Sequence, residues 1–93
     1  MFARTSTWTG TPDALDKWTA GVQTVRPFVT SLEGNAGVFF FIDAAAGRAL
    51  TLTLWNTEEA ALASDASADE SRARTVAATG VALLERGQYE VIS

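Results

Sequence analysis

Few side chains in this sequence could take part in chemistry: Arg4, Asn56 and Tyr89, with Trp8, Trp55 and Phe40 as aromatic surfaces against which a ligand could lie. A guanidinium binds an anionic or phenolate oxygen. An amide or a phenol donates to a developing oxyanion, and indole and phenyl faces make the dry wall of a pocket. Each residue also has an ordinary structural use. Arg4 could pair with an acid of a partner subunit, Asn56 could cap a helix, Tyr89 could pack with a hydrogen-bonded tip, and Trp55 could be interface core. Histidine and cysteine are absent. That removes the commonest general base, the usual zinc and proximal haem ligand, disulfides and thiolate nucleophiles. Asp13, Asp16, Glu58 and Glu59 sit in first helical turns, where the helix dipole accounts for them. Asp65, Asp69 and Glu70 read as a solvated helix face. No pair of acids has spacing for acid–base work or metal binding, and no cofactor is expected.

Residues 1–93 make a single domain, and a hydrophobic share of 47% with 19% charged residues rules against disorder. Seven scattered basic residues and a net charge of −4 argue against a nucleic-acid partner. The longest apolar run, Val38 to Ile42, is strand-sized, so no membrane span is expected. Met1-Phe2-Ala3-Arg4 does not resemble a secretory leader, and a cytoplasmic location is the expectation.

Elements that could position these side chains follow from the spacing. Phe2–Thr9 reads as a strand with Phe2, Arg4, Ser6 and Trp8 on one side and Ala3, Thr5 and Thr7 on the other. Thr11-Pro12-Asp13 starts a helix as N-cap, first-turn proline and first-turn acid. Leu15, Trp18, Val22 and Val25 form its apolar stripe, and Pro27 is expected to end it. Phe28–Leu32 fits either a further helical turn or an extended link, and Glu33–Gly37 reads as a break. Two strands follow, Val38–Asp43 and Arg48–Trp55, joined across Ala44-Ala45-Ala46-Gly47. A second helix opens at Asn56-Thr57-Glu58-Glu59, with a kink or break at Ser64–Ser67, and continues from near Ala68 to Ala78 before Gly80 stops it. Val81–Glu85 reads as a turn and Gln88–Ile92 as the last strand. The order β-α-β-β-α-β is that of an α+β, ferredoxin-like unit with helices on one face of an antiparallel sheet.

That leaves the other face. Leu50, Leu52 and Leu54 alternate with Thr51, Thr53 and Trp55, and the leucine side is the expected bed for the helix stripe. A four-residue loop sets Phe39 opposite Leu52 and Phe41 opposite Leu50, on the helix side, with Val38, Phe40, Ile42 and Trp55 facing away. A loop one residue longer would exchange the two sets of strand-two residues. Either way, Phe39-Phe40-Phe41 cannot all point in one direction. Aromatics of roughly 150–250 Å² each would exceed the ~400 Å² of apolar patch that a soluble monomer tolerates. A second copy packed sheet against sheet is the expected cover.

Val25-Arg26-Pro27-Phe28 leading to Leu32-Glu33-Gly34, the hairpin end Thr53-Leu54-Trp55, the helix opening Asn56-Thr57-Glu58-Glu59-Ala60 and the closing Tyr89-Glu90-Val91-Ile92 resemble the dimeric α/β-barrel superfamily. Within it, the chain is similar to the antibiotic biosynthesis monooxygenase-like domains. The resemblance implies a homodimer with two sheets face to face and a pocket in each subunit between sheet and helices. Some members oxidise polycyclic phenols without metal or flavin. Others degrade haem through a histidine that this chain lacks. The cofactor-free members use pocket Trp, Asn, Tyr and Arg, for which this sequence offers Trp8, Trp55, Asn35, Asn56, Arg4 and Tyr89. Two functions are then expected to compete: a cofactor-independent monooxygenase acting on a hydrophobic aromatic substrate, in which Arg4, Asn56 and Tyr89 hold its anion, or a non-catalytic ligand-binding or structural barrel.

Overall fold

Thr11 caps the first helix through its hydroxyl, which accepts from the Ala14 N–H, and Pro12 occupies the first turn, where no N–H is needed. The computed structural model describes residues 1–93. Its elements are β1 (Phe2–Thr9), α1 (Pro12–Thr30), β2 (Asn35–Asp43), β3 (Arg48–Trp55), α2 (Glu58–Ala63), α3 (Asp65–Thr79) and β4 (Ala82–Glu90). The four strands form one antiparallel sheet in the order β2-β3-β1-β4, an α+β ferredoxin-like arrangement. No helix is long and apolar enough to cross a membrane.

Three boundaries differ from the sequence reading. The first helix runs through Pro27 to Thr30. Proline loses its own N–H and crowds the carbonyl four residues back, but its carbonyl still accepts from Ser31, and burial of Val29 favours the extra turn. The stretch read as a break before β2 is largely strand, because a bulge between Asn35 and Gly37 lets the pairing continue. Asn35 fills the gap in the ladder, donating from Nδ2 to the Gly37 and Leu54 carbonyls and accepting from the Gly37 N–H. The last strand is Ala82–Glu90 rather than Gln88–Ile92, since β1 pairs with it along its whole length across a second bulge at Thr7/Trp8. The second helix breaks at Ser64, whose hydroxyl donates to the Ala61 carbonyl at 2.8 Å.

The largest correction concerns the faces. Phe39 does pair with Leu52 and Phe41 with Leu50, across a turn in which Gly47 takes a φ of +69°. The leucine side, however, lies away from the helices. Arg4 pairs with Thr53, Ser6 with Thr51 and Trp8 with Ala49, and this is the side that α1 covers, with Leu15 and Trp18 packed against Trp8, Ala49 and Val81. Buried indoles explain the choice. A buried Trp N–H needs an acceptor, and the threonines supply one: Trp8 Nε1 donates to Thr51 Oγ1 at 3.2 Å and Trp55 Nε1 to Thr53 Oγ1 at 2.9 Å. Leucines could not. The outer face therefore carries Leu50, Leu52 and Leu54 with Phe39 and Phe41, each phenylalanine 49% exposed and the two rings stacked at 6.4 Å.

Candidate functional site

Between the sheet and the helices lies a cavity of about 510 Å³, within the range of small-molecule sites. Alternation along β1 aims Arg4, Ser6 and Trp8 at it, and the same parity on β3 aims Thr51, Thr53 and Trp55. Trp18, Val22 and Val25, spaced by four and three residues, line it from α1. Ala68, Ser71, Arg72 and Thr75 do so from α3, where small side chains leave the space open. Phe40 of β2 also reaches the cavity, with its ring edge-on to Trp18 at 5.9 Å and 73°.

Arg4 is the polar centre of this site. It is buried, its guanidinium lies over the Trp55 ring at 5.2 Å, and its Nη2 donates to the Ala61 carbonyl and, at 2.8 Å, to Ser64 Oγ. It thus caps the end of α2, where carbonyls lack partners within the helix. Asp65 lies 3.8 Å from Nε, too far for a hydrogen bond. Burial lowers the pKa of Arg4 below the ordinary guanidinium value, Asp65 acts against that, and Arg72 adds to it. Arg72 donates to Asp69, which also accepts from Arg86 at 2.7 Å. The Arg72 hydrogen bond holds the Asp69 carboxyl below the usual carboxylate range.

Solved structures share this architecture throughout. A candidate antibiotic biosynthesis monooxygenase from Deinococcus radiodurans superposes with a TM-score of 0.81 at 14% identity, covering 100% of this chain and 94% of its own. SnoaB, a cofactor-independent oxygenase from Streptomyces nogalater, gives 0.75 at 12% identity, over 99% of this chain and 93% of SnoaB. The ActVA-Orf6 monooxygenase of Streptomyces coelicolor, solved with the ligand nanaomycin D, gives 0.74 at 13% identity, over 99% and 88%. The fold is that of the antibiotic biosynthesis monooxygenases. No family model matches the sequence, and no curated protein matches it. The likeness is one of fold.

On this antibiotic biosynthesis monooxygenase fold, the six residues singled out in the sequence separate into two groups. Arg4, Trp8, Phe40 and Trp55 meet at the cavity. Asn56 and Tyr89 do not. Asn56 is exposed at the start of α2, its N–H donating to the Gly34 carbonyl. Tyr89 pairs with Ala3 and so belongs to the outer face, 56% exposed and lying across Gly87, where a Cβ would come within 2.6 Å of its hydroxyl. Asn35, the other amide offered, is occupied with the β2 bulge. Sequence reasoning missed Arg72 and read Asp65, Asp69 and Glu70 beside it as a solvated face. The signal was the recurrence of Ala68, Ser71, Thr75 and Thr79 at helical spacing, a stripe of small side chains with Arg72 beside it.

Proposed function

We propose that this chain forms a homodimer through the Phe39–Phe41 face, and that each subunit's cavity takes a hydrophobic aromatic molecule and oxygenates it without a cofactor. The observation that carries this is the cavity of about 510 Å³ with Trp8, Trp18 and Trp55 as walls and the buried guanidinium groups of Arg4 and Arg72 lining it. SnoaB is described as a cofactor-independent oxygenase and the ActVA-Orf6 structure holds nanaomycin D, which supports the same use of the fold. Oxygen chemistry of this kind draws its electrons from the substrate. A polycyclic phenol is ionised, one atom of O2 replaces a ring hydrogen as a carbonyl, and the other leaves as water. The protein supplies a dry pocket and a donor to the oxyanion. Trp8, Trp55 and Phe40 are the proposed walls and Arg4 is the proposed donor. The outer face supports the dimer: five large apolar side chains lie there with no helix over them, more than the ~400 Å² a monomer tolerates.

One observation favours a second reading, a ligand-binding barrel without catalysis. Of the catalytic trio Arg4, Asn56 and Tyr89, only Arg4 lines the cavity. A thermal-shift screen with aromatic polyketides and dihydroxyanthracenes, followed by oxygen uptake on each hit, separates the two. A shift with uptake supports the oxygenase. A shift without uptake selects the binding protein, and no shift across the panel overturns both.

A further inference from the structure

Arg4 of β1 and Arg72 of α3 meet the same cavity, with only 6% and 8% of their surfaces exposed. Each uses a single nitrogen to hydrogen-bond the protein. Arg4 donates from Nη2 to the Ala61 carbonyl and Ser64 Oγ, and its Nε is a buried donor with no acceptor. Arg72 donates from Nη2 to Asp69. Asp65 Oδ1 stands 3.8 Å from both guanidinium groups, which places them side by side, but it is half exposed and beyond hydrogen-bond distance of either. Asp69 is shared with Arg86. Both carboxylates are half or more exposed, while the two guanidinium groups are buried at a cavity whose lining is largely aromatic and aliphatic. Buried cations with unused donors are costly unless something accepts from them.

We propose that the Arg4–Arg72 end of the cavity binds the carboxylate of an aromatic acid, so that the protein selects planar aromatic acids over neutral polycycles of the same size. This rests on the reading of the cavity as an aromatic site and names the group that its polar end recognises. A carboxylate offers two oxygens to two adjacent guanidinium forks, a geometry that a single hydroxyl or carbonyl oxygen does not match. The ring system then extends from the arginines toward Trp8, Trp18 and Phe40. Arg4 is held by the end of α2, while Arg72 is held only by the carboxylates of Asp69 and Asp65, so Arg72 is the group free to adjust to the ligand.

The test compares anthracene-2-carboxylate with anthracene-2-carboxamide, matched in ring and shape, by calorimetric titration of the full chain at neutral pH. The acid is expected to bind about tenfold or more tightly than the amide, the effect of one added charge-assisted hydrogen bond. In Arg72→Gln that preference is expected to fall severalfold, leaving only what Arg4 alone supplies; in Arg72→Lys, which keeps the charge and loses the fork, it is expected to fall part-way. Equal binding of acid and amide by the unaltered protein overturns the carboxylate site and leaves the aromatic cavity standing, and this comparison needs no variant to fold. An undiminished preference in a folded Arg72→Gln overturns the two-arginine site. Binding of neither probe overturns the aromatic cavity and this proposal together.

Discussion

The Arg4 guanidinium lies over the Trp55 indole, 5.2 Å from the ring centroid, and the same indole donates to Thr53, the residue that pairs with Arg4 across the β1–β3 ladder. Thr53 Oγ1 approaches the Arg4 carbonyl at 3.5 Å, so side chain and backbone of the pair are tied together. The far end of Arg4 pins the α2–α3 break through Ala61 and Ser64. One side chain therefore both lines the cavity and holds part of its roof in place.

Separating these roles calls for two substitutions. Arg4→Met keeps the stem but loses the hydrogen bonds to Ala61 and Ser64, and is expected to cost about 1.5–3 kcal/mol, the scale of hydrogen bonds from a charged donor. Trp55→Phe loses the bond to Thr53 and part of the ring at a site only 1% exposed, for an expected cost of about 1–3 kcal/mol. Urea unfolding followed by circular dichroism measures both. Costs near zero would mean that the cluster is not part of the stable core.

Two glycines with positive φ make a contrast. Gly80 ends α3 at φ +84°, where an added Cβ would come no nearer than 3.9 Å to Ala14, so Gly80→Ala is expected to cost only the backbone term, about 1–2 kcal/mol. Gly34 has φ +80°, but a Cβ there would fall 2.4 Å from that of Ala60. Gly34→Ala adds a clash to the backbone strain and is expected to be the more damaging in the same unfolding assay.

The outer face makes the dimer testable. Phe39 and Phe41 project half-exposed from β2 beside Leu50 and Leu52, so the double variant Phe39→Lys, Phe41→Lys removes apolar area without touching the cavity side. Sedimentation is expected to show a dimer for the unaltered chain and a monomer for the variant, with helix content retained. A monomeric unaltered chain at high concentration would remove the case for a second copy.

Much of this architecture was legible in the sequence because it rests on local rules. The Thr11 cap, the Gly80 stop, the break at Ser64 and the Phe39–Leu52 register each depend on a few neighbouring residues. The side of the sheet that the helices cover was not, because leucine against threonine argues for leucine inward on hydrophobicity alone. The deciding requirement was acceptors for the indoles: Trp55 Nε1 has Thr53 on its own strand, but the acceptor of Trp8 Nε1 is Thr51 of β3, which only pairing across the sheet reveals. Tyr89 went astray for a related reason: the bulge at Thr7/Trp8 and the earlier start of β4 decide which way it points. Arg72 looked like any basic residue on a helix until α3 was set over the sheet.

Acid titration of Asp69 has a definite sign. Its carboxyl is held below the usual range first by the Arg72 hydrogen bond; desolvation acts against this, and the charges of Arg72, Arg86 and Arg4 add to the lowering. A depressed folded pKa contributes stability that is fully present above the unfolded value of about 4 and is lost as pH falls through the folded value. Asp69→Asn is therefore expected to lower the urea midpoint at neutral pH, and the gap to the unaltered protein is expected to close in acid. A gap that stays constant with pH would assign the loss to something other than the charge.

Gly21 offers the cleanest probe of whether the cavity is used. It lies inside α1 and lines the cavity beside Val22 and Val25, and a Cβ built on it meets nothing within 4 Å. Glycine within a helix costs about 0.5–1 kcal/mol relative to alanine, and no steric contact requires it here. Gly21→Ala is thus expected to raise stability by about that amount while leaving the cavity nearly its full size. Gly21→Leu keeps most of the helical gain but projects a branched side chain into the space an aromatic ring would occupy. Its affinity for any ligand found in the screen is expected to drop by about tenfold or more, the cost of about 1.4 kcal/mol in lost contact. A stabilised Gly21→Leu that binds as the unaltered chain does would place the ligand elsewhere on the molecule.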